Sequence, residues 1–221
     1  MKELTSRQKQ AITTKRKIRE TAKLLLQKES FEKLTMNQVA TEAGISVGTL
    51  YHYFNSKEEL FFSIYHSFDE MISALSDQIS FDSHIEAIRS IVYAQTVGAL
   101  ETGANYMPNL LCFQLASTGS SMFYDDNRAF PRYVFKHAEE AVSAGELIAP
   151  HGFADIATSV LRIARGCIFD CAVRKDHQSI RTLLEHDLNI LLSHYRPSYQ
   201  SDFPPIDPSW YNATIHWLEE N

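Results

Sequence analysis

The chain has 221 residues, 44% of them hydrophobic, which suits two linked packed units and excludes wholesale disorder. Through Lys57 it carries eleven Lys or Arg against five Asp or Glu, and beyond that point ten against twenty-two, so the net charge of −6 hides a basic head on an acidic body. That footprint predicts nucleic-acid contact at one end only.

No apolar run nears the roughly 18–20 residues that span a bilayer. The charged N-terminus lacks the apolar stretch of a secretory signal. Three cysteines (Cys112, Cys167 and Cys171) argue for reduced thiols rather than a disulfide framework. The expectation is a cytoplasmic protein with no membrane partner.

Almost every segment predicts helix. Ile18, Ala22, Leu25 and Leu26 form an apolar stripe between about residues 7 and 28. Thr35-Met-Asn-Gln38 is a capping box opening a short helix, with Met36, Val39, Ala40 and Ala43 inward and Gly44 closing it. Ile45 plugs the turn, Ser46 caps a helix over 47–54, and Asn55 breaks it. Ser56-Lys-Glu-Glu59 opens a long helix to about residue 79. Further helices are predicted from Ser83, over 109–118, over 128–144, over 154–174 and over 180–195. Pro197, Pro204, Pro205 and Pro208 then break the pattern before a short last helix through Trp217.

Two short capped helices joined by a tight turn over 34–60 make a helix-turn-helix, whose second helix is the natural reader of a major groove. On that helix Leu50, Tyr53 and Phe54 face the core. Val47, Gly48, Thr49, Tyr51 and His52 fall on the other side or at its N-terminal end. Gly48 lets backbone approach base edges, Val47 and Thr49 offer methyl groups, and Tyr51 and His52 offer polar tips. Thr35 and Ser46 stand at helix N-termini that favour a phosphate, and Lys57 adds a cation.

The stretch TMNQVATEAGISVGTLYHYFNSKEEL resembles the N-terminal helix-turn-helix of the TetR family of repressors over roughly residues 16–60. Ala144-Gly145-Glu146-Leu147 resembles that family's turn between two C-terminal helices. The resemblance implies an all-α fold. A three-helix helix-turn-helix domain (1–57) is joined by a long helix to a helical ligand-binding and dimerisation domain (58–196), with a Pro-rich tail and short helix at 197–221. It implies phosphate contacts from Thr35, Tyr51, His52 and Lys57, and base-edge contacts from the Val47-Gly48-Thr49-Tyr51 group. Where the family often carries Lys or Arg near Thr49 this chain has none, so base reading would lean on van der Waals and water-mediated contacts.

The resemblance also implies a homodimer through the helices at 154–174 and 180–195. Their apolar excess nominates Ile156, Val160, Ile163, Leu184, Leu188 and Leu191 for the interface. A mainly apolar small-molecule effector is expected among Tyr93, Tyr106, Met107, Phe113, Met122, Phe123 and Phe169. The alternative is a DNA-bound protein whose body takes a protein partner and no effector. No catalytic motif of the GxSxG, HExxH, P-loop or Rossmann type is present, so an enzyme is not expected. No cofactor or metal is expected either. Cys167 and Cys171 read as buried small residues, and His84, His137, His151, His177, His186 and His194 read as scattered.

Overall fold

A computed structural model describes residues 5–76, 78–101, 106–116, 125–174, 179–198 and 203–220. Those residues form ten helices and no strand. The helices are α1 (Ser6–Leu26), α2 (Met36–Glu42), α3 (Val47–Tyr53), α4 (Lys57–Leu75), α5 (His84–Glu101), α6 (Tyr106–Ala116), α7 (Ala129–Ser143), α8 (Phe153–Arg174), α9 (Ile180–Tyr195) and α10 (Ser209–Glu220). Local chemistry sets the boundaries. The Thr35 hydroxyl accepts from the Gln38 N–H and the Gln38 side chain returns to the Thr35 N–H, a complete capping box. At the other end of α2 the Gly44 N–H bonds Thr41 O and the Ile45 N–H bonds Ala40 O, with Gly44 at φ 63°. This Schellman closure needs a left-handed residue, which glycine adopts without a side-chain clash.

The head packs α1, α2 and α3 around Ile18, Ala22, Leu26, Val39, Leu50 and Phe54, all buried. In the body α5 is central, packed by α7, α8, α9 and α10. Burial on nearly every side explains its apolar run Ile85, Ile88, Ile91 and Val92. α4 belongs to both units, with Leu60 and Phe61 under the head and Met71 and Ile72 in the body. The head is fastened further by Phe31, whose ring packs Phe61 and Phe113 with centroids 4.9 and 5.0 Å away. The Asn109 side chain adds bonds to the Phe31 N–H and to Glu29 O at 3.3 and 3.4 Å.

The structure also places the C-terminal segment and the residues expected at a dimer face. The segment expected as a tail is part of the body: Trp210 and Thr214 of α10 are fully buried, and α10 packs on α5 and α4. Phe203, before it, stacks between the guanidinium groups of Arg89 and Arg196 at 4.9 and 4.0 Å. Four of the six residues nominated for a dimer face, Ile156, Val160, Leu184 and Leu188, are fully buried inside the single chain. Only Ile163 and Leu191 reach the outer side, partly buried. The exposed apolar positions of α8 and α9 are instead Phe169, Val173, Leu183 and Ile190, from 41% to 62% accessible.

Candidate nucleic-acid interface and interdomain cleft

The short helix α3 turns one flank inward through Leu50 and the following Phe54, 0% and 1% exposed. Its opposite flank carries Val47, Gly48, Tyr51 and His52 to solvent, with Thr49 half-buried beside them. Tyr51 is an exposed aromatic, 49% accessible. Ser46 Oγ accepts from the Thr49 N–H at 3.0 Å and pairs with Thr49 Oγ1 at 2.8 Å. Both hydroxyls are thus already oriented at the helix start. Thr35 is likewise exposed, its hydroxyl engaged with Gln38. A Cβ built on Gly48 meets only Ser46 Oγ, at 3.9 Å, and Gly48 is not in the left-handed region. Nothing inside the chain requires a glycine at that position.

Lys57, expected to contact a phosphate, is also engaged within the chain. Its ammonium donates to Phe31 O at 2.9 Å and Glu32 O at 3.4 Å, and lies 4.4 Å from the Phe31 ring centroid. It ties the α1–α2 loop to the start of α4, leaving one N–H of three for any other acceptor. The basic charge of α1 also divides. Lys15, Arg16, Arg19 and Lys23 line a cleft between head and body rather than the flank of α3.

That cleft, about 310 Å³, is walled by α1, by Ile64, Tyr65 and Phe68 of α4, by Gln95 and Gly98 of α5, by Tyr106 and Met107 of α6, and by Trp217 of α10. At its mouth Arg19 makes a two-pronged ion pair with Glu70, at 2.9 and 3.1 Å, and donates to Ser63 Oγ at 3.2 Å. In its wall the Gln95 side-chain oxygen and the Tyr106 hydroxyl are buried with no hydrogen-bond partner among the described residues. Burial also pushes the Tyr106 phenol far above its usual range, so it stays a neutral donor.

Of the seven residues nominated for an effector pocket, Tyr106 and Met107 line the cleft. Tyr93 packs instead against Tyr211 at 5.9 Å, and Phe113 against Phe31, Phe61 and Phe62. Phe169 is half exposed on α8, and Met122 and Phe123 lie outside the described residues. Sequence reasoning missed the α1 cations and Trp217 as cleft residues. Their charge and aromatic character were visible, but their direction depends on how the head docks. Cys167 and Cys171 are buried as expected, and burial pushes the Cys167 thiol up to about 11, an unreactive state.

The sequence profile described as bacterial regulatory proteins, tetR family, matches residues 18–64. Over that stretch the chain is similar to this family. The HTH-type transcriptional regulator SAB2452 of Staphylococcus aureus is 41% identical over 56 residues, which span 25% of this chain and 30% of that protein. Likeness over most of the chain comes from solved structures. The transcriptional regulator FadR from Bacillus subtilis, in complex with stearoyl-CoA, superposes with a TM-score of 0.67 at 15% identity, covering 80% of this chain and 97% of that one. The tetR regulator TylP from Streptomyces fradiae gives 0.64 at 14% identity, covering 94% and 98%. At such identities the likeness is one of fold, and it covers the body as well as the head.

Proposed function

We propose that the protein is a sequence-specific transcriptional repressor that binds a two-fold operator as a homodimer and is released by a small ligand. The observation that carries the reading is the solvent-facing flank of α3. An exposed tyrosine, an exposed valine and a glycine with no internal purpose sit together on a helix whose other flank is fully used. Such a surface makes sense against a groove, where Gly48 allows close approach and Val47 and Tyr51 meet base edges. Footprinting on DNA upstream of the protein's own gene tests it. Tyr51→Ala should weaken operator binding about tenfold or more at matched salt with little loss of thermal stability, because the side chain is half exposed. Unchanged affinity would remove Tyr51 from the interface.

One short helix reads only a few base pairs, so two heads about 34–36 Å apart are needed to grip an operator. The outer residues of α8 and α9 are the candidate seam. Leu183→Arg combined with Ile190→Arg should yield a folded monomer by sedimentation, since both side chains are exposed in the single chain. An intact dimer would place the seam elsewhere.

The cleft supports the ligand half of the reading. Its volume lies at the small end of ordinary small-molecule sites. Ile12, Ile64, Phe68, Met107 and Trp217 in its wall suit an apolar ligand body. The cations at the mouth add an anionic group to the mainly apolar ligand expected from sequence. Other chains of this fold hold small molecules, stearoyl-CoA in FadR and triclosan in SmeT. An anion competing with Glu70 for Arg19 would loosen α1 from α4 and shift the head. Linkage requires operator DNA to weaken ligand binding by the same factor. Calorimetry with and without operator measures it, and equal affinities would favour the ligand-free interaction protein.

A further inference from the structure

Two of the six body histidines expected to be scattered meet in the folded chain. His84 begins α5 and His137 lies on α7, 53 positions apart, yet their Nδ1 atoms stand 3.1 Å from each other. Glu140, one helical turn after His137, places Oε2 3.3 Å from His84 Nδ1 and 3.5 Å from His137 Nδ1. We propose that His84, His137 and Glu140 form a binding site for a divalent transition-metal ion of zinc type, bridging the start of α5 to α7.

The spacing is that of a coordination triangle. Ligand atoms about 2.0–2.1 Å from a tetrahedral ion stand roughly 3.3–3.4 Å from one another. The three observed separations bracket that value. Two imidazoles and one carboxylate are also the donor set zinc takes where three protein groups bind it and a fourth position stays open to water. His84 and Glu140, 35% and 40% exposed, leave the cluster reachable from solvent.

Hydrogen bonding alone accounts poorly for the arrangement. Only one proton fits between the two Nδ1 atoms. The carboxylate contacts, at 3.3 and 3.5 Å, are longer than the about 2.7–2.9 Å of a charge-assisted bond. Three lone-pair-bearing atoms therefore converge with too few protons among them, which a cation would resolve.

The ligands are held by contacts independent of any ion. The Glu146 carboxylate accepts from the backbone N–H of His84 at 3.1 Å and of Ile85 at 3.0 Å, pinning the start of α5. The Glu86 N–H bonds Ser83 Oγ at 3.1 Å, closing the same turn. The His137 ring lies 4.3 Å from that of Tyr133, which in turn meets buried Trp210 at 5.5 Å. Glu146 spends both oxygens on backbone and is a positioning residue rather than a ligand. This is the one such convergence of three potential ligands among the described residues. Cys167 and Cys171, on α8, are not part of it.

The test uses the full chain, stripped with a chelator that is then removed. Titration with Zn²⁺ by calorimetry should show one ion per chain, and Co²⁺ should give the strong visible absorption of a tetrahedral site. His137→Ala, His84→Ala and the half-exposed Glu140→Gln should each weaken Zn²⁺ binding about tenfold or more, while exposed His186→Ala should leave it unchanged. Zn²⁺ should raise the melting temperature of the wild type and not of Glu140→Gln. Should an alanine variant fail to fold by circular dichroism, Glu140→Gln decides alone, since it is a near-isosteric change at a side chain 40% exposed. No binding at micromolar Zn²⁺, or equal binding by the wild type and Glu140→Gln, overturns the assignment. None of these measurements involves DNA, so the outcome stands apart from the repressor reading.

Discussion

Asp69→Ala is expected to lower the stability of the fold by about 3–5 kcal/mol, the scale for stripping one partner from a buried ion pair. Arg128, 5% exposed, caps α7 and donates to Asp69 Oδ2 at 2.7 Å and to the Tyr65 hydroxyl at 2.8 Å. Asp69 Oδ1 also accepts from the Phe130 N–H at 3.1 Å. Removing the carboxylate leaves a buried guanidinium without its counter-charge and frees the first turn of α7 from α4. Burial pushes the Asp69 carboxyl up, but hydrogen bonds from His66 and Arg128, the Arg128 charge and the Phe130 N–H outweigh it and hold the group below the usual aspartate value. The folded form is thus the stronger acid. Its contribution is complete above the unfolded value of about 3.9 and fades as pH falls through the folded value. Denaturant midpoints of wild type and variant should therefore converge in acid. A loss under about 1 kcal/mol at neutral pH would mean that Arg128 is compensated by solvent.

Gly48→Met should separate binding from folding most sharply. A Cβ at this position meets nothing closer than Ser46 Oγ at 3.9 Å, an ordinary contact, and methionine is a better helix former than glycine by about 0.5–1 kcal/mol. The variant should melt no lower than wild type. On the DNA side the same side chain fills the gap through which backbone approaches the groove, so operator affinity should fall about a hundredfold, or roughly 2.7 kcal/mol. Fluorescence anisotropy at fixed salt measures it. Normal binding by a folded Gly48→Met would show that α3 does not approach bases at this point. Gly44→Met would be the contrasting case, because φ there is 63° and the fold itself suffers.

The head was legible because its signals are local. Thr35 and Gln38, Ser46 and Thr49, or Gly44 and Thr41 act across three residues, and each leaves a sequence pattern that the fold reproduces. The body obeyed a different rule. α8 and α9 are apolar on more than one side, and periodicity does not say which side meets the rest of the chain. Leu184 and Leu188 proved to be core while Leu183 and Ile190 face outward. Phe113 could not be told from a pocket aromatic because its partner Phe31 lies in the head. His84 and His137 are separated by 53 positions, and only the packing of α5 on α7 unites them. His137 and Glu140 did carry a local trace, a helical His-x-x-Glu, which had no meaning until a second helix supplied its partner.

The placement of α10 has a consequence for the order in which the molecule becomes competent during synthesis. The head and its reading helix are complete in sequence by residue 64, whereas the cleft lacks a wall until Trp217 arrives. At bacterial elongation rates of about 5–20 residues per second, that interval lasts on the order of 10–30 s. Through it the groove on α5 that receives Trp210 and Thr214 stands uncovered. A ribosome that stops short of α10 would release a chain with an intact head and an unfinished cleft, which under the proposed function would bind an operator without answering to the ligand.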